Sequence, residues 1–149
     1  MRADQASMII YQQLLVAMQV NESNTIADID SEFLHDFRVA IRRTRAGLSQ
    51  IKGTLPPSAV SLYTDFFAWL GEITGTTRDM DVYLLSYPLY KAALPVSLHA
   101  DIIPLYDFLK VKQQQAQKGL ADKPNSPIYR KQLHNWEQFL KEPLGMCTK

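Results

Sequence analysis

The chain reads as an all-α protein, a bundle of four to six antiparallel helices. Apolar residues recur at three- and four-residue spacing along most of its length, and no segment shows the strict alternation of a half-buried strand. With 149 residues and 46% hydrophobic content it can bury one sizeable core but hardly two, so residues 1–149 are expected to form a single domain.

Ile9, Leu14, Leu15 and Met18 predict a first amphipathic helix from about Asp4 to Val20, with Asn21 to Asn24 as its stop. The apolar run inside it, Met8 to Val20, is interrupted by Gln12, Gln13 and Gln19. It is too short and polar for a membrane span and lacks the layout of a signal peptide. Asp30 or Ser31 can cap a second helix that runs to about Lys52, where Gly53 is a natural stop. Leu55-Pro56-Pro57-Ser58 is a connector, and Ser58 a cap for a third helix to about Thr74. That helix is aromatic on more than one side, with Tyr63, Phe66, Phe67 and Trp69. Since no cation interleaves between Ser58 and Ile73, these rings belong to a core rather than to a base-stacking surface. Gly71 and Gly75 are expected to loosen its end before a short fourth segment, Thr77 to Leu85, and Pro88 and Pro95 to bound a loop. A long helix follows from about Val96 to Ala121, with Pro104 as a kink or an early boundary and a polar, exposed second half from Lys110 to Lys118. After a turn at Asp122 to Pro127, Ile128 to Lys141 predicts a last helix with Leu133, Trp136, Phe139 and Leu140 facing inward.

The second helix carries the chemistry. On a helical wheel His35, Arg38, Arg42, Arg45, Ser49 and Lys52 share one sector, Phe37, Ala40, Ile41, Leu48 and Ile51 the opposite one, and Arg43 sits at the flank. Asp36 is the only acid between His35 and Gly53, so the cations repel one another along the helix and need partners from elsewhere in the fold or from a ligand. Cations repeating every turn, roughly 5 to 6 Å apart, form a ladder that suits a linear polyanion. The predominance of arginine favours oxyanions, which guanidinium binds through paired N–H groups.

The formal net charge is only +1, unlike that of a non-specific nucleic-acid binder, so the basic character is local. Glu22, Asp28, Asp30 and Glu32 precede the basic helix, and a second basic group lies downstream at Lys110, Lys112, Lys118, Lys123, Arg130 and Lys131. Cys147 is the single cysteine, which excludes an internal disulfide and a cysteine metal cluster and suggests a reducing, cytoplasmic setting.

The run from His35 to Arg45, the later Leu70-Gly71, the Arg78-Asp79-Met80-Asp81-Val82 segment and Ser126-Pro127-Ile128-Tyr129-Arg130 together resemble the CHAD family, the conserved-histidine α-helical domain, over roughly residues 5 to 140. The resemblance implies an all-helical module that binds inorganic polyphosphate, is often found at bacterial polyphosphate granules and is sometimes fused to triphosphate-hydrolysing domains. It further implies that Arg38, Arg42, Arg43 and Arg45 contact phosphate with His35 beside them, and that Arg78 joins them, with Asp79 or Asp81 orienting an arginine. Lys52 is added on helical phase, and Lys110, Lys112, Arg130 and Lys131 are secondary candidates from the downstream basic group. Family members usually pair two such bundles, each with its own histidine-and-arginine helix. One such helix occurs here, because His99 and His134 have no arginine row behind them, so the chain resembles the N-terminal half: either it is a piece of a longer protein that carries the second bundle, or it is a natural half-length protein that completes the cavity as a homodimer, the reading favoured here.

The alternative function is a scaffold in which the basic row pairs with the acids of Glu22 to Glu32. Nucleic-acid binding is a lesser alternative: any phosphate ladder attracts a backbone, but no helix-turn-helix or zinc pattern is present, and Gln113-Gln114-Gln115 with Gln117 reads as a solvated face. An accessory role beside a phosphohydrolase ranks with it. Catalysis, a cofactor and a metal are not expected. His35 is the one obvious acid–base group, and Asp79 and Asp81 lie on different sides of a helix.

Overall fold

The computed structural model describes residues 3–28, 30–50, 55–123 and 126–141. Five α-helices follow in order, α1 (Ala3–Ile26), α2 (Ser31–Gln50), α3 (Pro57–Ala92), α4 (Ile103–Asp122) and α5 (Pro127–Lys141), with two 3-10 turns, Val96–Leu98 and Ala100–Ile102, ahead of α4. The all-α expectation holds: the described residues contain no strand. None of their helices is long and apolar enough to cross a membrane.

Long-range contacts fix the antiparallel register. Along α2 and α3, Arg78 reaches Ser31, Arg38 reaches Gly71 and Thr74, and Arg45 lies against Gly71. Tyr87 meets Tyr106 in a tilted ring contact while Asp81 meets Gln113, which sets α3 against α4. Tyr11 packs on Trp136 and Gln12 Nε2 donates to Leu140 O, setting α1 against α5.

The core lies between α1, α2, the first half of α3 and α5. Trp136, fully buried, sits at its centre with ring centroids of Tyr63, Phe67 and Tyr11 at 4.6, 5.5 and 5.5 Å. The apolar face read on α2 is buried at Phe37, Ala40, Ile41 and Leu48, while Ile51 is outside the described residues. The third-helix rings are core residues, as their spacing without cations implied.

Several boundaries differ from the sequence reading, each for a tertiary reason. Helix α1 continues through Asn21 to Asn24 to Ile26. The Asn21 amide donates back to Ala17 O at 2.7 Å, and Gln117 Nε2 from α4 donates to Thr25 O and Ile26 O, two terminal carbonyls that would otherwise lack partners. The chain then reverses at Asp28, whose φ of 52° is one that aspartate adopts more readily than most residues. Asp30 is the α2 cap, its Oδ1 accepting from Glu32 N at 2.9 Å. The expected stop at Gly53 is outside the described residues.

Pro56, not Ser58, occupies the cap position of α3, with Pro57 in the first turn where its missing N–H costs nothing. The expected break at Gly71 and Gly75 and the loop at Pro88 do not occur: α3 is one 36-residue helix. Both glycines face α2 and admit its arginines, so packing offsets their helix cost of about 1 kcal/mol each. Pro88 is on the exposed side, while Tyr87 anchors the same turn to Tyr106 of α4. The expected long helix from Val96 begins at Ile103, with Pro104 in its first turn as a boundary. Its second half is not simply a solvated face: Gln113 and Gln117 are buried, while Gln114 and Gln115 are exposed.

Candidate functional site: an arginine row on a helix seam

The seam between α2 and α3 gathers four of the cations. Arg38 is half-buried, with Nη1 donating to Gly71 O at 2.7 Å and to Thr74 Oγ1 at 2.5 Å. Arg45 lies against Gly71, where an added Cβ would stand 3.3 Å from its Nη1. Arg42 is exposed between them, and Arg78 Nη1 approaches Ser31 O at 3.5 Å, at the outer limit of a hydrogen bond. Burial pulls the Arg38 guanidinium below its ordinary value and Asp79 pushes it back, while Arg78, Arg42 and Arg45 all lower it again. The four guanidiniums therefore share one electrostatic neighbourhood.

That neighbourhood is undercompensated. Among the described residues Arg42 and Arg45 have no ion-pair or hydrogen-bond partner, and Asp79, the acid whose charge favours the Arg38 guanidinium, is exposed and forms no ion pair. The acids ahead of α2 are engaged elsewhere. Glu22 lies against Tyr129 and Arg130, Asp28 Oδ2 accepts from Gln113, and Asp30 caps α2.

The two aspartates proposed as arginine orienters are placed differently from each other. Asp79 faces the row. Asp81 is buried on the far side of α3, where its Oδ1 accepts from Gln113 Nε2 at 3.0 Å and its Oδ2 has no partner. Burial raises the Asp81 carboxyl above the ordinary carboxylate range. The Gln113 hydrogen bond lowers it, Asp28 raises it and Arg78 lowers it. Arg38 is oriented by a carbonyl and a hydroxyl rather than by a carboxylate.

His35 stands one turn before Arg38, half-exposed, with ligand atoms of Glu32 and Asp36 within 4.8 Å of one another and of its own, so this corner has donors for a cation. Arg43 does not join the row. It borders a shallow groove toward α1 with Leu14, Asn21 and Asp36. Lys110 and Lys112 are on α4 with ammonium groups 5.7 and 5.6 Å from the ring centres of Tyr106 and Phe108, and α4 packs on α3, away from α2. Arg130 and Lys131 are on α5, which packs on α1, and Arg130 is a charge neighbour of Glu22. Lys52 is outside the described residues.

Three residues to which the sequence reading gave no part in the binding site form the floor of the seam: Gly71, Thr74 and Gly75. Their small-residue spacing of i, i+3 and i+4 inside a periodic segment was the available signal. Gln113 and Gln117, one turn apart, were likewise read as solvated, yet they clasp the α1–α2 turn to α3 and α4.

Against known families, the CHAD domain model matches residues 9–147. No curated protein matches the chain.

Proposed function

The chain belongs to the CHAD domain family, and from that premise we propose that it is a binding module for inorganic polyphosphate, with the α2–α3 seam as its site. The observation that carries this reading is the cluster of Arg38, Arg42, Arg45 and Arg78 with no ion-paired acid among the described residues. Keeping four guanidiniums together without counter-charge is unfavourable in the free protein, and a polyanion relieves the repulsion. Phosphates spaced along a chain match cations placed on successive turns of α2.

Guanidiniums stay protonated, so the seam supplies fixed charge and hydrogen bonds rather than proton transfer. This favours a binding role without catalysis. The scaffold alternative is weakened because Glu22, Asp28 and Asp30 already have other partners. The same reading includes a homodimer and a cytoplasmic location at sites of polyphosphate storage.

Titration calorimetry of long-chain polyphosphate at two salt concentrations tests the reading, with Arg42→Ala/Arg45→Ala alongside and duplex DNA as competitor. Salt-sensitive binding that is lost in the double variant and resists DNA supports it. Unaltered binding in the variant removes the seam as the site, and a scaffold role predicts instead a large fall in the variant's melting temperature.

A further inference from the structure

Thr74 is fully buried at the base of the seam, and its hydroxyl links the two helices. The hydroxyl donates to Leu70 O at 2.7 Å, one turn back on its own helix, which fixes its lone pairs toward α2. Arg38 Nη1 donates to that oxygen and to Gly71 O, and Arg38 has no other hydrogen-bond partner among the described residues. A guanidinium carries five N–H groups in a planar fork. With Nη1 engaged by two acceptors on α3, the Nε–H and the Nη2 hydrogens remain, and this edge is the one that grips two oxygens of a single oxyanion at once.

We infer that Thr74 is a positioning residue for anion binding: together with Gly71 O it selects which edge of Arg38 faces the ligand and holds that edge in place before the ligand arrives. The inference rests on the polyphosphate reading above and adds a residue with no charge and no ligand contact to its site. Arg42 and Arg45, by contrast, are exposed side chains that must be ordered on binding, which costs them rotamer freedom. Arg38 is already held, so it contributes a fixed first contact and the others adapt around it. Gly71 and Gly75 leave the space for this arrangement. An added Cβ at Gly75 would come within 3.8 Å of Arg38 Nη1, an ordinary contact, while one at Gly71 would crowd Arg45.

The test compares Thr74→Val, which keeps the shape and removes the hydroxyl, with Thr74→Ser, which restores it, and uses polyphosphate of defined length over a range of salt. If Arg38 is aimed by Thr74, T74V weakens binding by about tenfold, and the slope of log Kd against log salt falls by roughly 0.7, the loss of one phosphate contact. A neutral substitution has no other reason to change the number of counterions released. T74S binds as the parent does, and T74V has no further effect in an Arg38→Gln background. Thr74→Ala gives the same readout should T74V fail to fold. Parent-like affinity and slope in the hydroxyl-free variants overturn the positioning role while leaving the polyphosphate reading standing. Absence of binding by the parent protein overturns both.

Discussion

A buried carboxyl with an unpartnered oxygen is the most exposed energetic weakness at the level of single residues. Asp81 Oδ2 is such an atom, and burial raises its carboxyl, with Asp28 adding to the shift. Since the folded value lies above the unfolded one, the folded state holds an extra proton between them. Stability from this group is complete in acid and lost as pH rises from the ordinary carboxylate range through the raised value. Asp81→Asn keeps the acceptor for Gln113 and removes the charge. It should raise stability at pH 7 by about 1 kcal/mol, roughly 2–5 °C in melting temperature, and flatten the pH dependence. A lower melting temperature at pH 7 would show that the Asp81 charge, through Arg78, is favourable overall. The residues of the basic row and its apolar back were legible because both follow from one helix's own period: His35 through Arg45 and Phe37 through Leu48 need no knowledge of the rest of the fold. What Arg38 touches was not legible, because its acceptors come from 33 and 36 residues away.

The helices were found by period, but their ends were decided by packing. Gly71, Gly75 and Pro88 are local breakers, yet α3 runs through all three because α2 lies on the glycines and α4 holds the turn at Tyr87. Asn21 and its neighbours are local stop signals, overridden by two hydrogen bonds from Gln117. The same distinction separates two other glycines. At Gly119 of α4 an added Cβ meets nothing within 4 Å, so Gly119→Ala should stabilise the protein by about 1 kcal/mol through helix propensity alone. At Gly47 of α2 the Cβ would stand 2.8 Å from Tyr11 Cε1, a ring that is almost wholly buried and cannot retreat. Gly47→Ala should therefore cost about 1–3 kcal/mol. Chemical denaturation of the two variants gives opposite shifts in midpoint, and equal shifts would mean that α1 and α2 are not in this close register.

At the scale of the whole molecule, the four-helix core and the arginine seam occupy one end, while α4 and the second half of α3 form a hairpin with apolar side chains left in solvent. Val82, Leu85 and Leu89 are exposed on one α3 face, four, seven and eleven residues after Arg78. That face also carries Gly71 and Gly75, so the surface that α2 covers near the core continues beyond α2 as an uncovered apolar stripe leading directly from the basic row. On α4, Leu105 and Phe108 are exposed as well. A row of exposed apolar side chains along one helix face is the kind of surface that a partner covers. The homodimer proposed above would place a second copy on this stripe. Leu89 is 73% exposed, so Leu89→Glu removes little from the isolated chain while placing a charge in the stripe. Sedimentation or light scattering at micromolar concentration should give a dimer for the parent and a monomer for Leu89→Glu, with melting of the variant independent of concentration. A parent protein that is monomeric at that concentration, or a variant that remains dimeric, would remove the second copy from this surface.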